Sequence, residues 1–189
     1  KIADEFAKKF ADKARNLPLG DPRKPEPVVL GSVIGMSTVE HCNALVDDAL
    51  AKGARLLCGG KADSTLMPAT VLDHVTPAMR IYHEETFGPV KCIVRVKNTE
   101  EAIACANDNE YGLSAAVFGK DIARAFNVAR KIDSGICHVN GPTVHDEAQM
   151  PFGGVKGSGI GRFGGKAGIA EFTELRWVTV QTTPRHYPF

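Results

Sequence analysis

Between residues 90 and 140, short apolar runs alternate with segments of helical period, and this alternation limits the fold more than any other feature of the chain. Residues 90–96 follow a period of two. Val90, Cys92, Val94 and Val96 would share one face, and Lys91, Ile93, Arg95 and Lys97 the other, as in a strand. Asn98 or Thr99 can then cap a helix over residues 100–107, with Glu101 three residues after Asn98 as a capping box requires. Residues 114–118 are short and apolar, the pattern of a buried strand. Asp121 can cap a helix reaching residue 132, with an apolar face of Ile122, Ala125, Phe126, Ala129 and Ile132. Residues 136–139 read as strand again. The order strand–helix–strand–helix–strand predicts an α/β fold built from βαβ units on a parallel sheet, each crossover right-handed.

The flanks carry weaker signals. Residues 1–15 form an amphipathic helix pattern, with Ile2, Phe6, Phe10 and Ala14 recurring every four positions. Prolines 18, 22, 25 and 27 then forbid helix and favour a surface connection. A second helix is expected from Ser37 or Thr38, with Val39, Cys42, Leu45, Val46, Ala49 and Leu50 inward and Gly53 at its close. Residues 54–58 and 69–72 are strand candidates. Residues 141–168 are glycine-rich without a sustained period. Residues 175–181 read as one strand with no partner nearby in sequence, the pattern of a strand that pairs with another sheet or another subunit.

Composition narrows the function classes. The 189 residues are 43% hydrophobic and 24% charged, enough for a core and a polar surface. Lys plus Arg is 23 against 22 for Asp plus Glu, so net charge gives no case for nucleic acid or an acidic membrane as partner. No apolar run approaches the ~20 residues that span a bilayer. The chain starts at Lys1 in a charged stretch, neither a signal peptide nor an ordinary start, which hints at a piece of a larger protein. Cysteines stand at 42, 58, 92, 105 and 137, an odd count without a Cys-x-x-Cys pair. That argues against a disulfide framework and a zinc site, and for buried thiols in a reducing compartment, the cytoplasm.

Four motifs invite chemistry. Gly159-Ile160-Gly161-Arg162-Phe163-Gly164 is a literal Gly-x-Gly-x-x-Gly, but no strand precedes it, Gly165 and Gly168 weaken any helix after it, and no acid stands ~20 residues on. A glycine-rich loop packed against other backbone is the better reading. His83-Glu84-Glu85-Thr86-Phe87-Gly88-Pro89 leads into the strand at Val90. One of its carboxylates can take both hydroxyls of a ribose; alternatively the segment is a solvated turn with Phe87 as a core anchor. In Val144-His145-Asp146-Glu147 the His beside two acids reads as an exposed polar loop, because sequence neighbours rarely face one another as a proton relay must. Cys137 and His138 are strand neighbours on opposite faces and so cannot pair as nucleophile and base.

Together these segments resemble a known family. Glu84-Glu85-Thr86-Phe87-Gly88-Pro89 is similar to the Glu-Glu-x-Phe-Gly-Pro motif of the aldehyde dehydrogenase superfamily. Residues 107–115, beginning Asn107 and including Tyr111-Gly112-Leu113, resemble its Asn-x-x-x-Tyr-Gly-Leu segment, and Pro151-Phe152-Gly153-Gly154-Val155-Lys156 with Ser158, Gly159, Gly161 and Arg162 its C-terminal signature. Leu19-Gly20-Asp21-Pro22 also fits, and order and spacing agree from Lys1 to about Val180. The tail from Gly168, with Arg176-Trp177 and residues 184–189, looks most like the salicylaldehyde and vanillin dehydrogenase branch of that family.

The resemblance implies oxidation of an aldehyde, aromatic in the branch that the tail resembles, to a carboxylic acid with NAD or NADP. In the family a cysteine thiolate attacks the aldehyde, an Asn side chain and a backbone N–H hold the oxyanion, and a Glu base activates water. It also implies that Glu85 binds the nicotinamide ribose, that Phe87 packs beside the nicotinamide and that Leu113 approaches its ring. Phe152 would line the aldehyde tunnel, and the loop with Val144 and His145 would help set substrate choice. The family's nucleophile lies in a Gly-Gln-x-Cys segment, and none of the five cysteines matches it. The catalytic Glu and oxyanion Asn are missing as well. The chain is therefore expected to be a C-terminal part: residues 1–168 a partial catalytic domain, and residues 169–189 a segment whose strand joins a homo-oligomer's sheet. That part alone would be inactive. The competing expectation is an oligomerisation or interaction module without catalysis. A stand-alone Rossmann binder is disfavoured by the absent strand and acid.

Overall fold

A computed structural model describes residues 2–188, which divide into two compact units between Ala102 and Ile103. The first unit is a three-layer sandwich. Helix α1 (Ala3–Arg15) and helix α2 (Met36–Ala51) cover opposite faces of a three-stranded sheet of β1 (Arg55–Cys58), β2 (Thr70–Asp73) and, after the single turn α3 (Arg80–His83), β3 (Val90–Cys92). The central strand β2 is buried along its whole length. Its alternation sends Leu72 to the α2 side, among Cys42, Leu45, Val46 and Met79, and Val71 to the α1 side, among Ala7, Ala11, Ala14 and Ile93. Small residues on α1 let that helix approach the sheet closely, whereas Phe6 remains exposed. The sheet is mixed: β1 and β2 run antiparallel, and β2 and β3 parallel with Thr70 opposite Val90.

Helix α4 (Thr99–Asn107) follows. Asn98 Oδ1 accepts from the Glu101 N–H at 2.8 Å, as anticipated, while the Glu101 carboxylate accepts from the N–H of Lys97 at 2.7 Å, one residue before the reciprocal donor of a standard capping box. In the second unit β4 (Tyr111–Gly112) is succeeded by β5 (Ser114–Val117), helix α5 (Ile122–Ala129) and β6 (Ile136–Val139), and then by β7 (Val155–Lys156) and the short helix α6 (Gly165–Glu171). Strands β5 and β6 pair in parallel with α5 between them, and β4 pairs antiparallel with β7. Asp121 caps α5 by accepting from the Arg124 N–H at 3.0 Å.

Several expectations need correction. The strand at residue 90 stops after Cys92: the Ile93 N–H still donates to the Leu72 carbonyl, but the Ile93 carbonyl accepts from Val75, beyond His74 at φ +58°, and the register breaks there. Its period of two is lost with it: Val90 and Ile93 are buried and Cys92 is exposed. β3 pairs with β2, not with β5, so residues 90–140 hold one βαβ unit rather than two on a common sheet. β5 is half-buried rather than buried. On α5 only Ala125 and Ala129 of the expected face are buried, with Ile122 and Phe126 exposed. Helix α2 starts one residue before Ser37, and its N-cap is Gly35, without a side-chain hydrogen bond. A short helix does follow the Gly-x-Gly-x-x-Gly segment, despite Gly165 and Gly168. Residues 175–181 form no strand among the described residues: a strand needs a partner edge, and here their backbone finds none. Among those residues no helix is long and apolar enough to cross a membrane.

Candidate functional site

In the first unit, the turn between α3 and β3 presents two of the anticipated cofactor residues. Glu84 and Glu85 are adjacent, and the structure separates their tasks. Arg80 forks Glu84, with Nε on Oε1 at 2.7 Å and Nη2 on Oε2 at 2.9 Å, and this guanidinium holds the Glu84 carboxyl below the usual carboxylate range. Glu85 is exposed, and its carboxylate has no ion-pair partner among the described residues. Phe87 is not a core anchor. It is 79% exposed and its φ is +46°, a left-handed conformation that an aromatic residue rarely adopts. Glu85, Thr86 and Phe87 line a cavity of about 340 Å³ with Glu84, Val90 and Lys91. An open carboxylate accepts two hydroxyl hydrogens side by side, and a displayed aromatic ring takes a flat partner, so the pair fits a ribose joined to a planar base. Leu113 belongs to the second unit, between β4 and β5, and is 42% exposed.

In the second unit, a cavity of about 410 Å³ lies between β6 and the loop before β7, within the size range of small-molecule sites. His145 and Phe152 both line it, together with His138, Glu147 and Met150. Val144 is 91% exposed and is not among the lining residues. The His145 ring stands edge-on to His138 at 5.4 Å, and its Nε2 lies 3.4 Å from Glu147 Oε1. The polar loop is exposed, as read from the sequence, but it also forms a cavity wall. Phe152 is fixed by paired backbone hydrogen bonds with Phe163, at 2.8 and 2.7 Å. Cys137 is not paired with His138: burial pushes its thiol pKa up, and the buried His138 Nε2 has no hydrogen-bond partner. His138 was missed as a lining residue. The signal was its alternation with Ile136 on β6, which lines the same cavity.

The signature residues around this cavity are largely structural. Lys156 Nζ donates to the carbonyls of Asn107 and Asn109 at 2.9 and 3.3 Å, and Gly112 N–H donates to Ser158 Oγ at 3.0 Å. Arg162 Nη1 donates to the carbonyls of Gly154 and Gly161. The bonds of Lys156 and Ser158 tie residues 107–112 to residues 151–162, the two segments singled out in the sequence, and those of Arg162 close the second segment on itself. The Gly-x-Gly-x-x-Gly stretch is packed against backbone only at its last glycine: a Cβ on Gly164, at φ +88°, would stand 2.2 Å from the Met150 carbonyl oxygen, whereas Gly161 faces the Glu171 side chain and Gly159 open space.

Comparison with known proteins bears on what this framework is. The profile of the Aldehyde dehydrogenase family matches residues 1–178. A vanillin dehydrogenase of a Pseudomonas species (strain HR199) is 55% identical over 187 residues, which cover 99% of this chain and 39% of that protein. The crystal structure of a salicylaldehyde dehydrogenase from Pseudomonas putida G7, complexed with salicylaldehyde, superposes with a TM-score of 0.92 at 49% identity, covering 100% of this chain and 39% of that one. A Mycobacterium tuberculosis aldehyde dehydrogenase complexed with NAD+ gives a TM-score of 0.84 at 32% identity, over 92% of this chain and 36% of that one. The chain thus spans about two-fifths of the length of the relatives it matches. With the profile running through both units and this identity sustained along their whole length, the chain belongs to the aldehyde dehydrogenase family.

Proposed function

We propose that this chain is the C-terminal part of an NAD(P)-dependent dehydrogenase that oxidises an aromatic aldehyde to its carboxylic acid. The observation that carries the reading is the pairing of two motif-matched sites, each in its own cavity: Glu85 with Phe87, and His145 with Phe152. High identity to vanillin and salicylaldehyde dehydrogenases supports an aromatic substrate. The bound nicotinamide would accept a hydride from the substrate carbon. Glu85 would hold the ribose hydroxyls beside it, and Phe87 would shield its flank. Leu113 would approach the ring. Phe152 would stack against the aromatic substrate, with Val144 and His145 selecting among its substituents.

The nucleophilic cysteine and the base that activates water would come from residues outside this chain. Cys42 and Cys137 are both thiols whose pKa burial raises, the opposite of an activated nucleophile. Residues 1–168 would supply part of the catalytic domain in a cytoplasmic enzyme. Residues 169–189 would carry a strand that completes a neighbouring subunit's sheet, supported by the exposed row of Leu175, Trp177, Val178 and Val180.

The test compares two proteins. The full-length enzyme should reduce NAD+ or NADP+ with vanillin or salicylaldehyde, and the 189-residue chain should reduce neither. Turnover by the isolated chain would overturn the division of labour. Failure of the full-length protein with every aromatic aldehyde would overturn the substrate class.

A further inference from the structure

Helix α2 grips the turn that carries Glu85 through contacts that the family motifs do not explain. His41 Nε2 lies 2.9 Å from the Glu85 carbonyl oxygen. The next residue, Cys42, donates its thiol hydrogen to the Thr86 carbonyl at 3.2 Å. Successive carbonyls of the turn are thus taken by successive residues of the helix. A carbonyl only accepts, so His41 must present a proton on Nε2. Cys42 is completely buried, and burial pushes its pKa up, so its sulfur keeps the proton that it donates. The third contact is steric. A Cβ on Gly88 would stand 2.5 Å from Cys42 Sγ, so the sulfur fills the space that glycine leaves.

Nearly two turns further along α2, Asp48 accepts from the Arg80 N–H at 2.8 Å, and Arg80 in turn forks Glu84. The helix therefore controls the turn at Glu84, Glu85, Thr86 and Gly88. Phe87, the residue between, carries the strained φ of +46°. Strain of this kind persists only where the surroundings over-determine the backbone. The two carbonyls bound by α2 lie immediately before Phe87 and supply that constraint.

We propose that His41 and Cys42 are positioning residues for cofactor binding: by holding the Glu85 and Thr86 carbonyls they fix the direction of the Glu85 carboxylate and the Phe87 ring. The assignment rests on the cofactor role proposed for Glu85.

The experiment uses the full-length enzyme, with saturation curves for cofactor and for aldehyde. His41→Leu should raise the cofactor KM by roughly three- to tenfold, the worth of one hydrogen bond, and leave the aldehyde KM unchanged. His41→Gln, which retains a donor, should recover most of that loss. Cys42→Ser, whose hydroxyl can still reach Thr86, should bind cofactor more tightly than Cys42→Ala, which guards against a His41 variant that does not fold. An unchanged cofactor KM in His41→Leu, or equal losses in the members of each pair, overturns the positioning role. An inactive wild type overturns the function and this inference together, whereas an active wild type with indifferent variants overturns this inference alone.

Discussion

Arg95 meets Asp73 as a fork, with Nε on Oδ1 at 3.0 Å and Nη2 on Oδ2 at 2.7 Å, while its Nη1 reaches Asp4 on α1. Asp73 closes the central strand and is only 3% exposed. The pair therefore joins the last residue of β2, the segment after β3 and the first turn of α1. Hydrogen bonding from Arg95, against the opposing cost of burial, holds the Asp73 carboxyl below its ordinary range.

That direction fixes a pH dependence. An unfolded Asp titrates near ~3.9 and the folded one lower, so the stability that the ion pair supplies is complete above about pH 5 and drains away as pH falls through the folded value. Asp73→Asn should cost about 2–3 kcal/mol at pH 7, at or just below the lower end of the range for breaking a buried pair, because Arg95 is partly solvated. The difference between wild type and variant should shrink below pH 4. Melting curves of both proteins at pH 7 and pH 3.5 check this; a gap of constant size would rule out the ion pair as its source.

Asn98→Ala should destabilise α4 by about 1 kcal/mol, the usual worth of an N-cap. Asn98→Asp should be tolerated, since its carboxylate accepts the same Glu101 N–H. Urea midpoints that rank the alanine and aspartate variants equally would show that the cap contributes nothing.

This cap was legible because capping is local: Asn98 and Glu101 are three residues apart, and their chemistry depends on nothing else. Asp121 and α5 were legible for the same reason. The faces of the strands were not. Val90, Cys92 and Val94 alternate in the sequence, but the ladder length is set by β2, which releases the chain after Cys92. The hold of α2 on the Glu85 turn was equally invisible, since His41 and Cys42 lie 44 residues from the carbonyls that they bind. Cys42 was read as core, correctly, and nothing local marked its thiol as a donor. The motifs located Glu85 and Phe152. Only the geometry shows that Arg80 occupies Glu84 and leaves Glu85 open.

Substitutions in the two cavities should separate their effects. In the full-length enzyme, Glu85→Leu should raise the cofactor KM roughly tenfold, through loss of charge-assisted hydrogen bonds, with little change for the aldehyde. Phe152→Ala should do the reverse, raising the KM of an aromatic aldehyde by about tenfold through lost ring contact. Steady-state kinetics with each substrate varied in turn reads both. If either variant shifted both constants equally, the assignment of that residue to one ligand would fail.

Two glycines of the Gly-x-Gly-x-x-Gly stretch should respond differently to alanine. Both have positive φ, +136° at Gly159 and +88° at Gly164. A Cβ on Gly159 meets nothing within 4 Å, whereas on Gly164 it would strike the Met150 carbonyl at 2.2 Å. Gly159→Ala should therefore cost only conformational strain, about 1–3 kcal/mol. Gly164→Ala must also displace backbone beside Phe152, so it should melt at a lower temperature and expose residues 148–165 to protease. Indistinguishable melting and cleavage would mean that the Met150 carbonyl yields without cost.

The C-terminal segment tests the proposed assembly. Leu175, Trp177, Val178 and Val180 are exposed, with Trp177 at 90%. An apolar row of that kind, with backbone groups unpaired, is costly in water and is relieved by adding a strand to another sheet edge. Charges placed along it should forbid that docking, because a carboxylate buried between apolar side chains has no partner. Val178→Asp combined with Val180→Asp should reduce the mass of the full-length enzyme in light scattering after size exclusion, at equal concentration. Arg176→Lys, a change that preserves charge beside the same row, should leave the mass as it was. An unaltered mass in the double variant would assign the contact between subunits to another surface, and this segment would then have to be covered by its own chain.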